Sequence, residues 1–235
     1  DLDHNFAPPS SEHWLGTDEY GRDVLARALH AGRISLGIGL TVASISMTMG
    51  VFTGLISGFY GGWIDDVTNA IIQTLLNIPI LFLLILLSLL MRPEPPWLAF
   101  IIGITGWMGT ARLVRGEVFS IRERDYIEAA RAVGATNRRI ILRHVLPNVS
   151  SLIIVIAAFD VAGGIMVESG LSFLGVGVQP PDASWGSMLL HSRTYVTKAP
   201  WLVITPGFFI FVTILSIFLL ADGLRDALDP WLKES

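Results

Sequence analysis

Residues 201–221 read WLVITPGFFIFVTILSIFLLA, a run of twenty-one positions without a charged side chain. A helix needs about 20 consecutive apolar residues to cross the hydrocarbon core of a bilayer, so this run spans a membrane on its own. Four more stretches qualify or nearly do: 34–59, 67–91, 97–111 and 149–167. The 97–111 stretch is short and is expected to continue to Val114, with Arg112 snorkelling towards the headgroups. Trp97 and Trp201 stand where interfacial anchors belong. The predicted fold class is all-α, a polytopic transmembrane helical bundle with five spans in this sequence.

Composition agrees with that reading. The 235 residues are 52% hydrophobic and only 15% charged, with a mean hydropathy of +0.60, whereas an ordinary soluble domain carries about 25% charged residues. A net charge of -4 and the lack of a basic tail argue against a nucleic-acid binder. The sequence contains no cysteine, which excludes disulfides, thiolate metal sites and a cysteine nucleophile.

Orientation follows from the distribution of Lys and Arg. Eight of the sixteen basic residues (Arg112, Arg115, Arg122, Arg124, Arg131, Arg138, Arg139 and Arg143) fall between positions 112 and 148, which places that loop in the cytoplasm. Counting spans from there puts 1–33, 92–96 and 168–200 outside, and 61–66 and 222–235 inside. Arg22, Arg27 and Arg33 dissent on the outer side. The domain reading is therefore an external N-terminal segment, 1–33, followed by a permeation domain, 34–235, with a cytoplasmic loop at 112–148 and an external loop at 168–200. Residues 1–11 are polar and proline-rich, with no signal-peptide pattern. An outside N-terminus then calls for a sixth, N-terminal helix upstream of Asp1.

Several span residues bear on function. Ser46, Gly50, Gly54 and Gly58 recur every four residues, a small-residue seam that lets two helices approach closely, either within this subunit or at an interface with another. Asn69, Gln73 and Asn77 form an amide stripe, followed by Pro79. Such groups cannot face lipid cheaply, so they either bond neighbouring helices or line an aqueous path. Asp160 is the one ionisable residue deep within a span, with Gly163 and Gly164 after it. It either lines a pathway or is a buried hydrogen-bonding group, and no second charged span residue is placed to make it part of a proton relay. The segment 21–33, GRDVLARALHAGR, puts Val24, Leu25, Ala28 and Leu29 on one helical face, which suits a membrane surface.

The cytoplasmic loop contains EAARAVGATNRRIILRHVLPN, positions 128–148. A short helix over 126–133 is expected to end at Gly134, whose backbone suits a C-terminal cap. Thr136 or Asn137 can cap a second helix. Ile140, Ile141, Leu142 and Val145 form its apolar side, and Pro147 is expected to stop it. Two short helices joined at a glycine make a rigid basic knob, which points to a protein contact.

That string is similar to the EAA motif of bacterial binding-protein-dependent ABC importers, whose pattern is E-A-A-x3-G-x9-I-x-L-P. Glu128, Ala129, Ala130, Gly134, Leu146 and Pro147 match in register, while His144 takes the isoleucine position. HWLGTDEYGRDVLAR from position 13, ARLVRGEVFSIRERDYIEAARAVGA from 111, LSFLGVGVQPPDASWGSML from 171 and DGLRDALDP from 222 resemble the dipeptide, oligopeptide and nickel permease family. Within it the chain resembles the member that pairs with a second, different permease. The resemblance implies a heterodimeric pore in the bacterial inner membrane, two cytoplasmic ATPase subunits and an external solute-binding protein. It implies that the knob fits a groove on one ATPase, that transport is by alternating access, and that no cofactor is held. The external loop and the N-terminal segment are expected to meet the binding protein.

Two other classes fit poorly. An enzyme would need a catalytic pattern, and neither a P-loop, HExxH nor G-x-S-x-G occurs. The histidines at 4, 13, 30, 144 and 191 show no metal-ligand spacing. Glu168 with Ser169 and Ser172 invites comparison with a hydrolase, but no base is placed to serve a nucleophile. A channel or secondary transporter would be expected to show internal repeats, and a stand-alone carrier has no use for the knob. Short peptides are the expected solute, with nickel or a nickel chelate as the alternative.

Overall fold

In the computed structural model, residues 5–228 are described, so Pro230, Lys233 and the rest of the expected inner tail beyond Leu228 lie outside them. The described chain is built from nine α-helices: α1 (Val24–Tyr60), α2 (Gly62–Leu76), α3 (Ile80–Met91), α4 (Pro95–Arg122), α5 (Asp125–Ala132), α6 (Asn137–Ile140), α7 (Leu146–Phe173), α8 (Trp185–Ser192) and α9 (Trp201–Leu228). A π-helical turn, Ile141–Val145, joins α6 to α7, and a 3-10 turn, Arg193–Tyr195, follows α8. Four helical stretches are long and apolar enough to cross a membrane, Val24–Tyr60, Pro95–Arg122, Asn137–Phe173 and Trp201–Ala227; α2 and α3 make a fifth if counted as one broken span.

The spans differ from the sequence reading in four places. The 67–91 stretch is not one helix: α2 and α3 are bent by 72° at a break over residues 77–79. Pro79 has no N–H to continue a ladder, and the Asn77 side chain closes the end of α2 by donating from Nδ2 to the Gln73 carbonyl at 2.9 Å. The helix read as 97–111 with a continuation to Val114 runs on to Arg122, because Arg115 and Arg122 find partners within the protein. Pro147 does not stop its helix; the widened turn before it, where the Leu146 N–H reaches Ile141 O, lets the chain pass the proline and continue to Phe173. Residues 24–33 lead into the next span as expected, forming the start of a single 37-residue helix, but Val24 and Ala28 are buried in protein rather than laid on a lipid surface, although Leu29 is exposed.

The chain forms two compact units. One gathers the residues up to Val42, Leu81–Ile102 and Val161–Ile217. It holds two apolar clusters, one around Val24, Ala28, Ile165, Trp185 and Leu202, the other around Ile38, Leu84, Leu98 and Leu171. The other unit comprises Ala43–Ile80, Gly103–Asp160 and the described residues from Phe218 onward. Its main cluster is Phe59, Val114, Val118, Ile121, Ile127, Ile140, Val145, Val149 and Ile156. The small-residue seam packs here, within the chain: a Cβ at Gly54 would lie 2.7 Å from Ala111 O, and one at Gly58 2.8 Å from Val118 Cβ. Backbones that close leave no room for side chains, which is what a seam of this kind provides.

Candidate functional site: the helical knob and the polar groups of the spans

The knob folds from local signals. Helix α5 ends at Ala132 with Val133 as its C-terminal cap, and Gly134 takes φ +82°, a left-handed conformation that glycine adopts without penalty. Its N–H bonds Arg131 O at 2.9 Å, and Ala135 N–H bonds Ala130 O at 3.0 Å. The cap of the second helix is Thr136, not Asn137: its side chain accepts from Arg139 N–H at 3.4 Å.

Three residues pin the knob from below. Ile127, Ile140 and Val145 have none of their surface exposed, and all lie in the cluster with Phe59, Val114 and Val118. Burying an aliphatic side chain of that size contributes about 1.5–3 kcal/mol relative to leaving it exposed, so the hairpin is held by more than its own short helices. Of the residues matching the motif, Glu128, Ala129, Gly134 and Pro147 are exposed, while Ala130 and Leu146 are half-buried. His144 lies with its ring 6.4 Å from that of Tyr126, so the side chain that departs from the pattern bridges the two halves of the knob.

The opposite face is open. Val133, which caps the end of α5, is 85% exposed, and Leu142 and Tyr126 are exposed as well. Leu142 therefore does not share the buried side with Ile140 and Val145. Arg138, Arg139 and Arg143 of the same segment are exposed too. Exposed apolar side chains together with exposed arginines in one short segment suit a protein interface. Val133 was visible in the sequence only as the residue before the capping glycine.

The span residues divide differently. Asp160 is half-buried on α7 and accepts from Thr110 Oγ1 at 2.9 Å; Thr110 lies 3.4 Å from Ser46 Oγ. Its partners are hydroxyls, and none of Asn69, Gln73 and Asn77 is among them. Asn69 is half-buried, whereas Gln73 and Asn77 are exposed.

Asp160 is not alone as an ionisable group in the spans. Glu168, also on α7, is fully buried and accepts from Ser172 at 2.6 Å and Ser35 at 3.3 Å. Ser172 in turn accepts the Val178 N–H, and Ser35 the Trp185 N–H. This network ties α1, α7 and α8 together. Asp65, read from sequence as part of a short inner loop, sits in α2 and pairs with Arg115.

The N-terminal segment is ordered around Asp18, which is 2% exposed. Its carboxylate accepts from the N–H groups of Tyr20 and Arg22, from Arg22 Nε at 2.7 Å and from Arg27 Nη1 at 2.8 Å. Burial pushes this carboxyl up, but the hydrogen bonds from Arg22 and Tyr20 outweigh it and hold Asp18 below its ordinary value. Two of the three dissenting outer arginines are thereby accounted for as partners of one buried acid. In the loop 168–200, Ala183–Met188 is buried, and the exposed residues are 173–175, 179–182, 193–194, 196–198 and 200.

A family model described as the binding-protein-dependent transport system inner membrane component matches residues 50–234. The oligopeptide transport system permease protein OppC of Mycobacterium tuberculosis is 41% identical over 234 residues, 98% of this chain and 80% of that protein. The dipeptide transport system permease protein DppC of Bacillus subtilis is 43% identical over 227 residues, 96% of this chain and 71% of that protein. Among solved structures, inward-facing conformations of the MetNI methionine ABC transporter match with a TM-score of 0.68 at 18% identity, over 87% of this chain and 97% of that one. An amino acid ABC transporter matches with a TM-score of 0.59 at 19% identity, over 87% and 93%. The structural likeness concerns the fold, and the sequence matches give the lineage: the chain belongs to the family of binding-protein-dependent transport system inner membrane components, the membrane-spanning permease subunits of ABC importers.

Proposed function

We propose that this permease forms one half of the translocation path of a peptide importer, paired with a second, different permease, and docks one of two cytoplasmic ATPase subunits through its knob. Glu128, Ala129, Ala130, Gly134, Leu146 and Pro147 are the docking residues, joined by Val133 and Leu142. ATP hydrolysis belongs to the ATPase subunits. The observation that carries this reading is the two-faced knob: one face is pinned in the apolar cluster by Ile127, Ile140 and Val145, and the other presents Val133 to solvent. Asn69, Gln73, Asn77 and Asp160 are the polar groups assigned to the path. The exposed parts of 168–200, with the N-terminal segment, receive an external solute-binding protein.

Short peptides are the solute, a reading supported by the oligopeptide and dipeptide names of relatives that match nearly the whole chain. The test uses the full protein, its partner permease, both ATPases and the binding protein in proteoliposomes. ATP hydrolysis is recorded with the binding protein empty, loaded with a short-peptide mixture, or loaded with chelated nickel. Stimulation by peptides is expected. Stimulation by nickel alone would overturn the solute, and hydrolysis indifferent to every loaded form would overturn the coupling.

A further inference from the structure

The turn between α1 and α2 is gripped from α4 by two arginines that both stack on one ring. Arg115 pairs with Asp65 in a bidentate fork, Nε to Oδ1 and Nη2 to Oδ2, the latter at 2.6 Å. Asp65 is only 7% exposed. Two turns further along α4, Arg122 Nη1 donates to the carbonyls of Gly58 at 3.2 Å and Phe59 at 3.4 Å. Those carbonyls belong to the last turn of α1, where a positive charge complements the helix dipole. That ring is Phe119, its centre 4.9 Å from the Arg115 guanidinium carbon and 4.3 Å from that of Arg122.

The knob is joined to the same block. Its helix α5 begins at Asp125, three residues after Arg122. Arg131 of α5 stands over the Phe59 ring at 5.6 Å. The linker being gripped is soft by itself: Gly61 and Gly62 both have positive φ, +64° and +54°, and glycine has the widest backbone freedom. A planar guanidinium held by a fork of two bonds and stacked on a ring fixes direction as well as distance. Further along, α2 also meets α4 through the small apolar cluster of Ile72 with Met108 and Ala111. Next to the soft Gly61–Gly62 turn, the Arg115–Asp65 fork is the directional tie that fixes how α2 follows α4.

We propose that Asp65 and Arg115 are positioning residues for transport, which lock α2 to α4 so that displacement of the knob moves the face bearing Asn69, Gln73 and Asn77. This rests on the docking reading of the knob given above. The pair touches neither solute nor ATPase and acts through the helix it holds.

The experiment uses the assembled importer in proteoliposomes with its binding protein, and a labelled tripeptide mixture as the probe. In Asp65→Asn the ATPase subunits stay bound and hydrolysis continues, while tripeptide moved per ATP hydrolysed falls about tenfold, within the range of a single coupling free energy. Asp65→Glu, which keeps the carboxylate, restores a large part of that ratio. An unchanged ratio in Asp65→Asn overturns the proposal, and so does release of the ATPases from that variant. Should Asp65→Asn fail to insert, Arg115→Lys keeps the charge but loses the fork, and an unchanged ratio there has the same force. The docking reading fails separately: if Val133→Asp leaves the ATPases fully bound, the knob is not the docking element, whatever Asp65 does.

Discussion

Ser172 donates its hydroxyl to Glu168 at 2.6 Å, one turn away on α7, and neither residue reaches solvent. The carboxylate is satisfied by hydroxyls alone, and those hydroxyls also accept the N–H groups of Val178 and Trp185. Glu168→Ala removes the acceptor and leaves Ser35 and Ser172 donors without it. A loss of about 2–4 kcal/mol is expected, since two buried hydroxyls lose their acceptor at about 1–3 kcal/mol each. Thermal unfolding in detergent micelles measures it, and an unchanged midpoint would show that the network is dispensable.

The seam on α1 gives a paired prediction. Gly54→Val puts a side chain against Ala111 O and Val114 Cβ, at 2.7 and 2.8 Å already for the Cβ alone. Overpacking of this kind costs about 1–3 kcal/mol. Gly116→Ala on α4 meets nothing within 4 Å, and since alanine favours a helix interior over glycine by up to about 1 kcal/mol it should hold or raise the unfolding midpoint. Equal effects of the two substitutions would mean that α1 and α4 do not approach as described.

Acid should loosen the N-terminal segment through Asp18. Its folded pKa is depressed, so its contribution is fully present above the unfolded value, about 3.9, and is lost as the pH falls through the folded one. The stability difference between the parent and Asp18→Asn is thus expected to be widest at neutral pH and to shrink below about pH 4. Melting curves across that range read the difference directly, and a gap that stays constant down to strong acid would remove Asp18 from its structural role.

Gly134→Val should strain the turn of the knob without a clash, because a Cβ at Gly134 meets nothing within 4 Å while φ is +82°. The cost is about 1–2 kcal/mol of backbone strain. Solute-stimulated hydrolysis is expected to fall with membrane insertion unchanged. Hydrolysis at the parental rate would indicate that the angle between α5 and α6 is not used in docking.

The long apolar runs were readable because crossing a bilayer requires length and little else, and 201–221 lies within α9. The knob was readable because its determinants are local: Gly134 takes the left-handed conformation and Thr136 caps three residues ahead. What escaped depends on partners far along the chain. Arg115 and Arg122 look like loop charges until Asp65 and the end of α1 are brought to them. Glu168 was placed outside because apolarity ends near Val167, yet the helix continues to Phe173 inside a set of hydroxyls from α1 and the segment leading into α8. The break at 77–79 had a visible proline, but a hydropathy run records no bend. The π turn ahead of Pro147 leaves no mark in the residue pattern at all.

The knob as the docking element is the central claim, and the absence of cysteine makes it directly testable. Val133→Cys places a single thiol at its exposed tip. In membranes holding the whole importer, a short bifunctional thiol reagent should join that residue to an ATPase subunit carrying one cysteine on its permease-facing groove. Joining should fail when the thiol is placed instead at Leu219, on α9. If Val133→Cys reacts with a small water-soluble thiol reagent but never joins the ATPase, the knob reaches the cytoplasm without docking, and the account is contradicted.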